Sequence, residues 1–274
     1  MIIGHQDKVA IFKKLIREDK LSHGYVFFGE NQVGKCHFAL HLANFLEKGE
    51  FTKSDSGLGE TLLLRPIENS LGIDAVREIK RFLLQKPVAS RYRVVIIDDA
   101  ETLTSQAQNA VLKITEEPPD SSLIILIVNN IESLLATLRS RLQRVYFTRV
   151  SQKEIAAFLQ KEYRLDTKKA LETAAEALGR PGRAVNIVTS QHFEQARQLA
   201  EKCLKNRGSR RSIVDAVLEE DYLLNEFITQ IVIKLSRDLS ERYTVLDNLI
   251  DRYAKINAFN TNKRLQLESA LWNI

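Results

Sequence analysis

The chain alternates short, unbroken hydrophobic runs with longer stretches in which hydrophobic residues recur every three or four positions. The first kind of segment is typical of strands buried on both faces of a parallel sheet, and the second of helices that bury one face. The runs predicted to be strands are 25–28, 61–64, 93–98, 123–128 and 144–147. Strands and helices that alternate in this way predict βαβ units, and therefore a three-layer α/β domain with a parallel sheet.

The pattern changes after residue 150. Ser151, with Glu154 three positions later, is the capping-box signature of a new helix, and two further helical stretches follow before residue 190. All five prolines and ten of the eleven glycines lie at or before Gly182, so the remainder is predicted to be nearly all helix. We therefore predict three domains: 1–150, α/β; 151–190, a small three-helix module; and 191–274, all helix.

Composition narrows the classes of function. The 274 residues are 44% hydrophobic, which is enough for globular cores, and the net charge of +5 is too evenly spread to identify a nucleic-acid binder. The two cysteines cannot form a disulfide framework or a four-thiolate zinc site, so we expect a reduced cytoplasmic setting, no zinc and no other metal site. No hydrophobic stretch approaches the roughly 18 residues of a membrane span, so neither secretion nor membrane insertion is expected.

The strongest motif is GENQVGKC, which follows the first predicted strand and opens a helix. It matches the phosphate-binding P-loop pattern G-x-x-x-x-G-K, with Gly29, Gly34 and Lys35 at the defining positions. Backbone amides and the lysine of such a loop attract phosphate. The next residue is Cys36, where a hydroxyl that ligates Mg²⁺ is expected, and sulfur is a poor ligand for that ion. The segment therefore predicts weak or unproductive binding of ATP or ADP with Mg²⁺.

Two alternatives for this segment stay open. The first is a glycine-rich turn that matches by chance. The second is a redox role, because Cys36 lies at a helix N-terminus beside Lys35, a setting that lowers a thiol pKa. No resolving cysteine accompanies it in the sequence, since the other cysteine is the distant Cys203.

A second motif, VVIIDDAE, ends the third predicted strand with Asp98, at the position where a carboxylate holds Mg²⁺ beside the phosphates. The next residue is Asp99, where hydrolases of this type commonly carry a glutamate. Shortening a general base by one methylene displaces it by more than about 1 Å, which can cost on the order of 10²-fold in rate. Cys36 and Asp99 thus alter two positions needed for hydrolysis.

Further segments, above all AQNAVLKITEEPP followed by a strand and LRSR, make the chain resemble AAA+ clamp-loader subunits, most closely the delta-prime type of bacterial DNA polymerase III. The resemblance runs through residues 1 to about 188. It implies an AAA+ P-loop domain, a three-helix lid and an all-helical collar. It also implies a heteropentamer with gamma/tau-type and delta-type subunits, which places a sliding clamp on primed DNA, and no cofactor that this subunit itself requires.

The resemblance also assigns a role to Arg141. Ser140, Arg141 and Leu142 match the Ser-Arg-Cys motif, in which the arginine reaches ATP held by the neighbouring subunit, and Leu142 replaces the cysteine. Such an arginine finger is worth about 10³ to 10⁵ in rate. The alternative is a solvated run of charge with Arg139 and Arg144.

Two further positions match nucleotide sensors of the family. Asn129, or alternatively Asn130, matches the sensor 1 polar residue, and Arg183 matches the sensor 2 arginine, although each is equally consistent with a cap or turn residue.

A basic cluster around Gly208 is interpreted as a solvated turn between collar helices rather than a DNA contact. Its members are Lys202, Lys205, Arg207, Arg210 and Arg211.

We therefore expect a mechanical stator that offers Arg141 to an adjacent ATP site while its own P-loop hydrolyses little or no ATP. Two alternatives remain. One is a gamma-type clamp-loader ATPase that tolerates Cys36 and Asp99. The other is a stand-alone AAA+ protein that acts on nucleic acid and assembles with itself into rings.

Overall fold

A computed structural model of the protein describes residues 2–54, 57–66, 70–206, 210–236, 239–258 and 261–272. The chain divides into two units, Met1–Val185 and Asn186–Ile274. The finer division predicted at residues 150 and 190 stays a prediction. Within the described ranges, no helix has both the length and the apolar character that crossing a membrane requires.

The first unit contains the predicted sheet. Its strands are β1 (Gly24–Phe28), β2 (Thr61–Leu64), β3 (Arg93–Ile97), β4 (Ser122–Val128) and β5 (Gln143–Tyr146). Its helices are α1 (Gln6–Arg17), α2 (Lys35–Lys48), α3 (Ile73–Leu83), α4 (Ser105–Glu116), α5 (Ala136–Arg141), α6 (Gln152–Tyr163) and α7 (Thr167–Glu176). Helix α8 (Pro181–Thr189) begins in this unit and includes the boundary after Val185. Single 3-10 turns lie at Ala100–Thr102 and Ile131–Ser133. All five predicted strands are confirmed to within about one residue at each end.

The five strands pair in parallel in the order β2-β3-β4-β1-β5. Leu64 lies opposite Ile97, and Phe28 opposite Val128, so the carboxyl ends of the first four strands reach the same edge. The residues that follow these strands are therefore carried to one place, although they are far apart in sequence.

Alternate strand residues enter two separate cores, which confirms the three-layer α/β prediction. In β1, Tyr25 and Phe27 pack with Phe12 of α1 and Phe38 of α2, whereas Val26 faces the side that α3 and α4 cover. The strands are hydrophobic on both faces because both are covered. The side chains of β3 and β4 are buried throughout.

The three helices after residue 150 also form as predicted. The Ser151 hydroxyl accepts a hydrogen bond from the Glu154 amide at 3.3 Å, and the Glu154 carboxylate accepts one from the Ser151 amide at 3.3 Å. This is the predicted capping box at the start of α6. Gly179, with a φ of 77°, ends the turn after α7, and its carbonyl accepts from the Val150 amide at 2.8 Å.

The second unit is helical throughout its described elements, which confirms the all-α prediction. These are α9 (Gln191–Lys205), α10 (Arg210–Val217), α11 (Asp221–Leu235), α12 (Leu239–Ala258) and α13 (Lys263–Leu271). Their core includes Cys203, Phe227 and Leu249, each fully buried.

In the predicted basic cluster, Lys202 and Lys205 are exposed, and Arg210 donates to the Trp272 carbonyl at 3.2 Å. Arg207 and Gly208 lie outside the described residues.

Gly29, directly after β1, allows a close backbone approach that a side chain would prevent. Its φ is 141°, and an added Cβ would overlap the Phe147 carbonyl oxygen. We expect Gly29→Ala to lower the free energy of unfolding by about 2 kcal/mol or more. Gly72→Ala is the control, since a Cβ there meets nothing within 4 Å. Equal stability of the two variants in urea denaturation would contradict this account.

Candidate functional site

The candidate site lies at the edge of the sheet where β1 to β4 end. Gly29, Arg65, Asp98 and Asn129 are the residues that directly follow these four strands. The Asp98 amide donates to the Leu64 carbonyl at 2.9 Å, which holds the residues after β2 and β3 side by side. Ligand sites in open parallel α/β sheets lie at this edge.

The P-loop spans the end of β1 and the start of α2, as predicted. Gly34, in the left-handed region with a φ of 104°, precedes α2, and Lys35 is buried. The Lys35 ammonium donates to the carbonyls of Gly29 at 2.6 Å and Glu30 at 2.7 Å, and to Asn129 Oδ1 at 3.0 Å. Burial lowers the pKa of Lys35, against the attraction of nearby carboxylates. The lysine that the motif predicts to bind phosphate is therefore held by oxygens of the protein itself.

Asn129 is the asparagine that joins this network. Its Nδ2 donates to Glu101 Oε1 at 2.6 Å, while its Oδ1 accepts from Lys35. Asn130 instead caps the following 3-10 turn, with its Oδ1 accepting from the Glu132 amide at 3.0 Å. The sensor 1 role of Asn129, with Asn130 as its alternative, stays a prediction. Glu101 is a site residue that sequence reasoning missed, although it is the last letter of VVIIDDAE.

Arg65, also missed from the sequence, lies between the two positions expected to ligate Mg²⁺. Its Nε lies 3.3 Å from Asp98 Oδ2 in an ion pair, and its Nη2 lies 3.8 Å from the Cys36 sulfur. A guanidinium therefore neutralises the carboxylate expected to hold the metal. Since the other position offers sulfur, these residues do not fit Mg²⁺.

The expected lowering of the Cys36 thiol pKa is wrong. Burial, together with the neighbouring charge and hydrogen bonding of Asp98, raises the pKa of Cys36 to about 12 despite the nearby Arg65. The thiol is half-buried behind the loop, so desolvation outweighs the helix N-terminus and Lys35. A redox role that needs a thiolate is therefore not supported.

Asp99 lies beside this cluster in a left-handed conformation, with a φ of 50°. Partial desolvation and the negative charges of Asp98 and Glu101 raise its pKa. Its main-chain carbonyl accepts from the Thr102 amide at 2.9 Å and from the Thr102 hydroxyl at 2.7 Å. Its reading as an altered general-base position stays a prediction.

Helix α8 is attached directly to the P-loop. The Gly182 amide donates to the Gln32 carbonyl at 2.9 Å, and a Cβ at Gly182 would lie 3.1 Å from the Gln32 Cβ. The neighbouring Arg183 is buried, and its Nε donates to the Glu176 carbonyl at 3.2 Å. This bond joins Arg183 to the end of α7. A sensor 2 role for Arg183 stays a prediction.

Arg141 lies away from this edge of the sheet. Gln143, two residues after Arg141, pairs with Tyr25 near the amino end of β1. Gly29 comes four positions after Tyr25, which is about 13 Å along a strand. Arg141 therefore lies towards the opposite edge from the P-loop of its own chain.

The surroundings of Arg141 expose it while anchoring its helix. Its side chain is 56% exposed and pairs with Glu116 at 3.4 Å. Leu142, which replaces the cysteine of the motif, is buried against Gly24, where an added Cβ would overlap Leu142 Cδ2. Ser140 is exposed, and its hydroxyl donates to the Thr137 carbonyl at 2.8 Å. These contacts hold an exposed guanidinium on the short, firmly packed helix α5.

Comparisons with known proteins agree with this architecture. The family described as "DNA polymerase III, delta subunit" matches residues 4–151, just over half of the chain. The Escherichia coli DNA polymerase III subunit delta' is 34% identical over 131 residues, covering 48% of this chain and 39% of that protein. A Mycobacterium tuberculosis DNA polymerase III subunit gamma/tau is 30% identical over 172 residues, or 58% of this chain. The match spans 30% of the length of that relative.

A solved structure also shares the fold. The crystal structure of a DNA polymerase III gamma subunit-related protein from Thermotoga maritima superposes with a TM-score of 0.61. The sequences are 24% identical, and the match covers 95% of this chain and 97% of that one. This likeness supports the α/β fold with a parallel sheet and the helical region that follows it.

The high pKa of Cys36 gives a chemical test of the site. At a pH of about 8, a thiol of pKa near 12 carries about 10³-fold less thiolate than one of pKa near 9, so alkylation of folded Cys36 is expected to be slower by that order. Asp98→Asn should accelerate it, since the carboxylate raises the pKa. Asp74→Asn, on α3, serves as the control and should change nothing. The rate is followed by mass spectrometry, with the urea-unfolded chain as reference. Fast alkylation of folded Cys36 would show that the thiol is activated.

Proposed function

Since the chain belongs to the DNA polymerase III delta subunit family, a group of AAA+ clamp-loader-like subunits, we propose that it is a clamp-loader subunit of the delta-prime type. In this proposal it is a stator within a heteropentamer that also contains gamma/tau-type and delta-type subunits. That complex loads a sliding clamp onto primed DNA in the cytoplasm. The chain supplies Arg141 to the ATP site of a neighbour and contributes little or no hydrolysis itself.

The observation that carries the proposal is the placement of Arg141. The side chain is exposed, its helix is fixed by the burial of Leu142, and it lies towards the edge of the sheet opposite its own P-loop. An arginine in this place cannot act on a nucleotide in its own loop. A planar, permanently charged guanidinium suits the γ-phosphate of a partner.

The proposal that this P-loop does not hydrolyse ATP is supported by a separate set of contacts. Lys35 is held by three protein oxygens, Asp98 is paired with Arg65, and Cys36 is a protonated thiol. Binding Mg²⁺-ATP would require these contacts to be exchanged. A P-loop in this condition is suited to structural support rather than turnover.

A gamma-type ATPase is the alternative that the comparisons favour, because gamma/tau relatives match 58% of the chain and the P-loop keeps its glycines and lysine. Under that alternative the isolated chain binds Mg²⁺-ATP and hydrolyses it. A stand-alone AAA+ protein would instead assemble with itself, whereas the stator would be a monomer that assembles only with the other subunits. Size-exclusion chromatography with light scattering separates these last two.

We expect no Mg²⁺-dependent ATP turnover by the isolated chain in a single-turnover assay. Cys36 and the paired Asp98 do not fit Mg²⁺, and Asp99 stands where a glutamate is expected. The double variant Cys36→Thr, Asp99→Glu tests whether these residues alone limit hydrolysis. Lys35→Ala is the background control. Robust Mg²⁺-dependent turnover by the wild-type chain that Lys35→Ala abolishes would refute the idle P-loop and favour the gamma-type alternative.

Arg141→Ala is expected to lower the clamp- and DNA-stimulated ATP turnover of the reconstituted complex. The site facing this chain would lose a group worth about 10³ to 10⁵ in rate. Arg144→Ala is a matched control, since Arg144 is exposed on the neighbouring β5. Assembly is checked by size exclusion, so that loss of turnover is not loss of the complex. Unchanged turnover with Arg141→Ala would refute the finger.

A further inference from the structure

Arg65 occupies the place between the two ligand positions of a P-loop metal site. In P-loop proteins Mg²⁺ is held by the residue after the loop lysine and by the aspartate that ends the neighbouring strand. In this chain those residues are Cys36 and Asp98, and the Arg65 guanidinium contacts both. The contact with Asp98 is an ion pair at 3.3 Å, and that with the Cys36 sulfur is 3.8 Å.

The backbone sets this position. Arg65 is the first residue after β2 and Asp98 the first after β3, and these strands pair in register through Leu64 and Ile97. The hydrogen bond from the Asp98 amide to the Leu64 carbonyl keeps the two chain segments adjacent beyond the sheet. The arginine therefore reaches Asp98 by pairing of neighbouring strands rather than by chance contact of mobile side chains.

We propose that Arg65 acts as a built-in cation that excludes Mg²⁺ from this P-loop, so that any nucleotide or phosphate that enters the loop binds without a metal. A divalent cation at Asp98 would lie against a guanidinium that cannot lose its proton, and like charges at that distance repel. Lys35 and Arg65 then supply the positive charge that a metal complex would bring. This inference rests on the proposed function, because it explains how the P-loop of that subunit is kept idle.

Arg65 and Cys36 make different predictions as the cause of metal exclusion. Restoring the hydroxyl with Cys36→Thr leaves the guanidinium in place, so this variant should gain no dependence on Mg²⁺. Arg65→Ser, combined with Cys36→Thr, frees Asp98 and offers an oxygen ligand. The Arg65 side chain is 61% exposed, so its replacement is expected to leave the fold intact.

The experiment measures ADP affinity by titration calorimetry, with MgCl₂ or with EDTA, on the full chain. For the wild type and for Cys36→Thr we expect no gain from Mg²⁺. For Arg65→Ser with Cys36→Thr we expect Mg²⁺ to raise ADP affinity at least about tenfold. Electron paramagnetic resonance of Mn²⁺ with ADP gives a second readout, since this double variant should bind the ion and the added change Asp98→Asn should remove it.

Arg149→Ser on the Cys36→Thr background is the matched control. Arg149 is 57% exposed and pairs with Glu30 of the P-loop at 2.9 Å, so its removal changes the charge near the loop without freeing Asp98. It should gain no Mg²⁺ dependence. The inference is overturned if the wild type, Cys36→Thr or this control gains affinity with Mg²⁺ as the Arg65 variant does, or if the Arg65 variant gains none. An unchanged turnover with Arg141→Ala would refute the finger and leave this result standing, so the two failures are distinguishable.

Discussion

The in-register pairing of parallel strands is the constraint on which the rest of this structure depends. Both faces of the sheet are buried, and a slip of one residue would send each strand side chain to the wrong core. The register fixed by packing also fixes which residues come next at the carboxyl edge. Gly29, Arg65, Asp98 and Asn129 belong to four distant segments, yet they share one small region for this reason. The chemistry of the site is thus a consequence of how the core is packed.

Charge at that edge is balanced within the protein. Lys35 is surrounded by oxygens from the loop and from Asn129, and Arg65 by the groups that would otherwise face a metal. At the opposite side of the domain the arrangement differs, because the one charged partner of Arg141 among the described residues is Glu116, in a surface ion pair at 3.4 Å. Surface pairs of this kind contribute little energy, about 0 to 1 kcal/mol, so the guanidinium can exchange partners at small cost. Lys35 and Arg65 at one edge thus have partners within the protein, whereas Arg141 at the other can exchange its partner for a ligand.

Much of the fold could be predicted from the sequence because its signals are local. Unbroken hydrophobic runs such as 123–128 indicate strands, and Pro118 and Gly179 indicate where helices end. The positions of the P-loop and of Asp98 are predicted from motifs for the same reason, whereas Asn129, with Asn130 as its alternative, follows from the family resemblance. Arg65 and Glu101 were not, since each matters through a partner that pairing of strands brings near, and no spacing in the sequence encodes that. The predicted lowering of the Cys36 pKa was wrong because it considered only the local position of Cys36 at the start of a helix. The desolvation that raises the pKa to about 12 comes from tertiary packing, which the sequence does not show.

The hydrogen bond from the Gly182 amide to the Gln32 carbonyl joins residues 150 positions apart, at the tip of the P-loop and the first turn of α8. Its geometry leaves little slack, because even a methyl group on Gly182 would press on Gln32. Any widening of the loop must therefore either break this bond or carry the start of α8 with it.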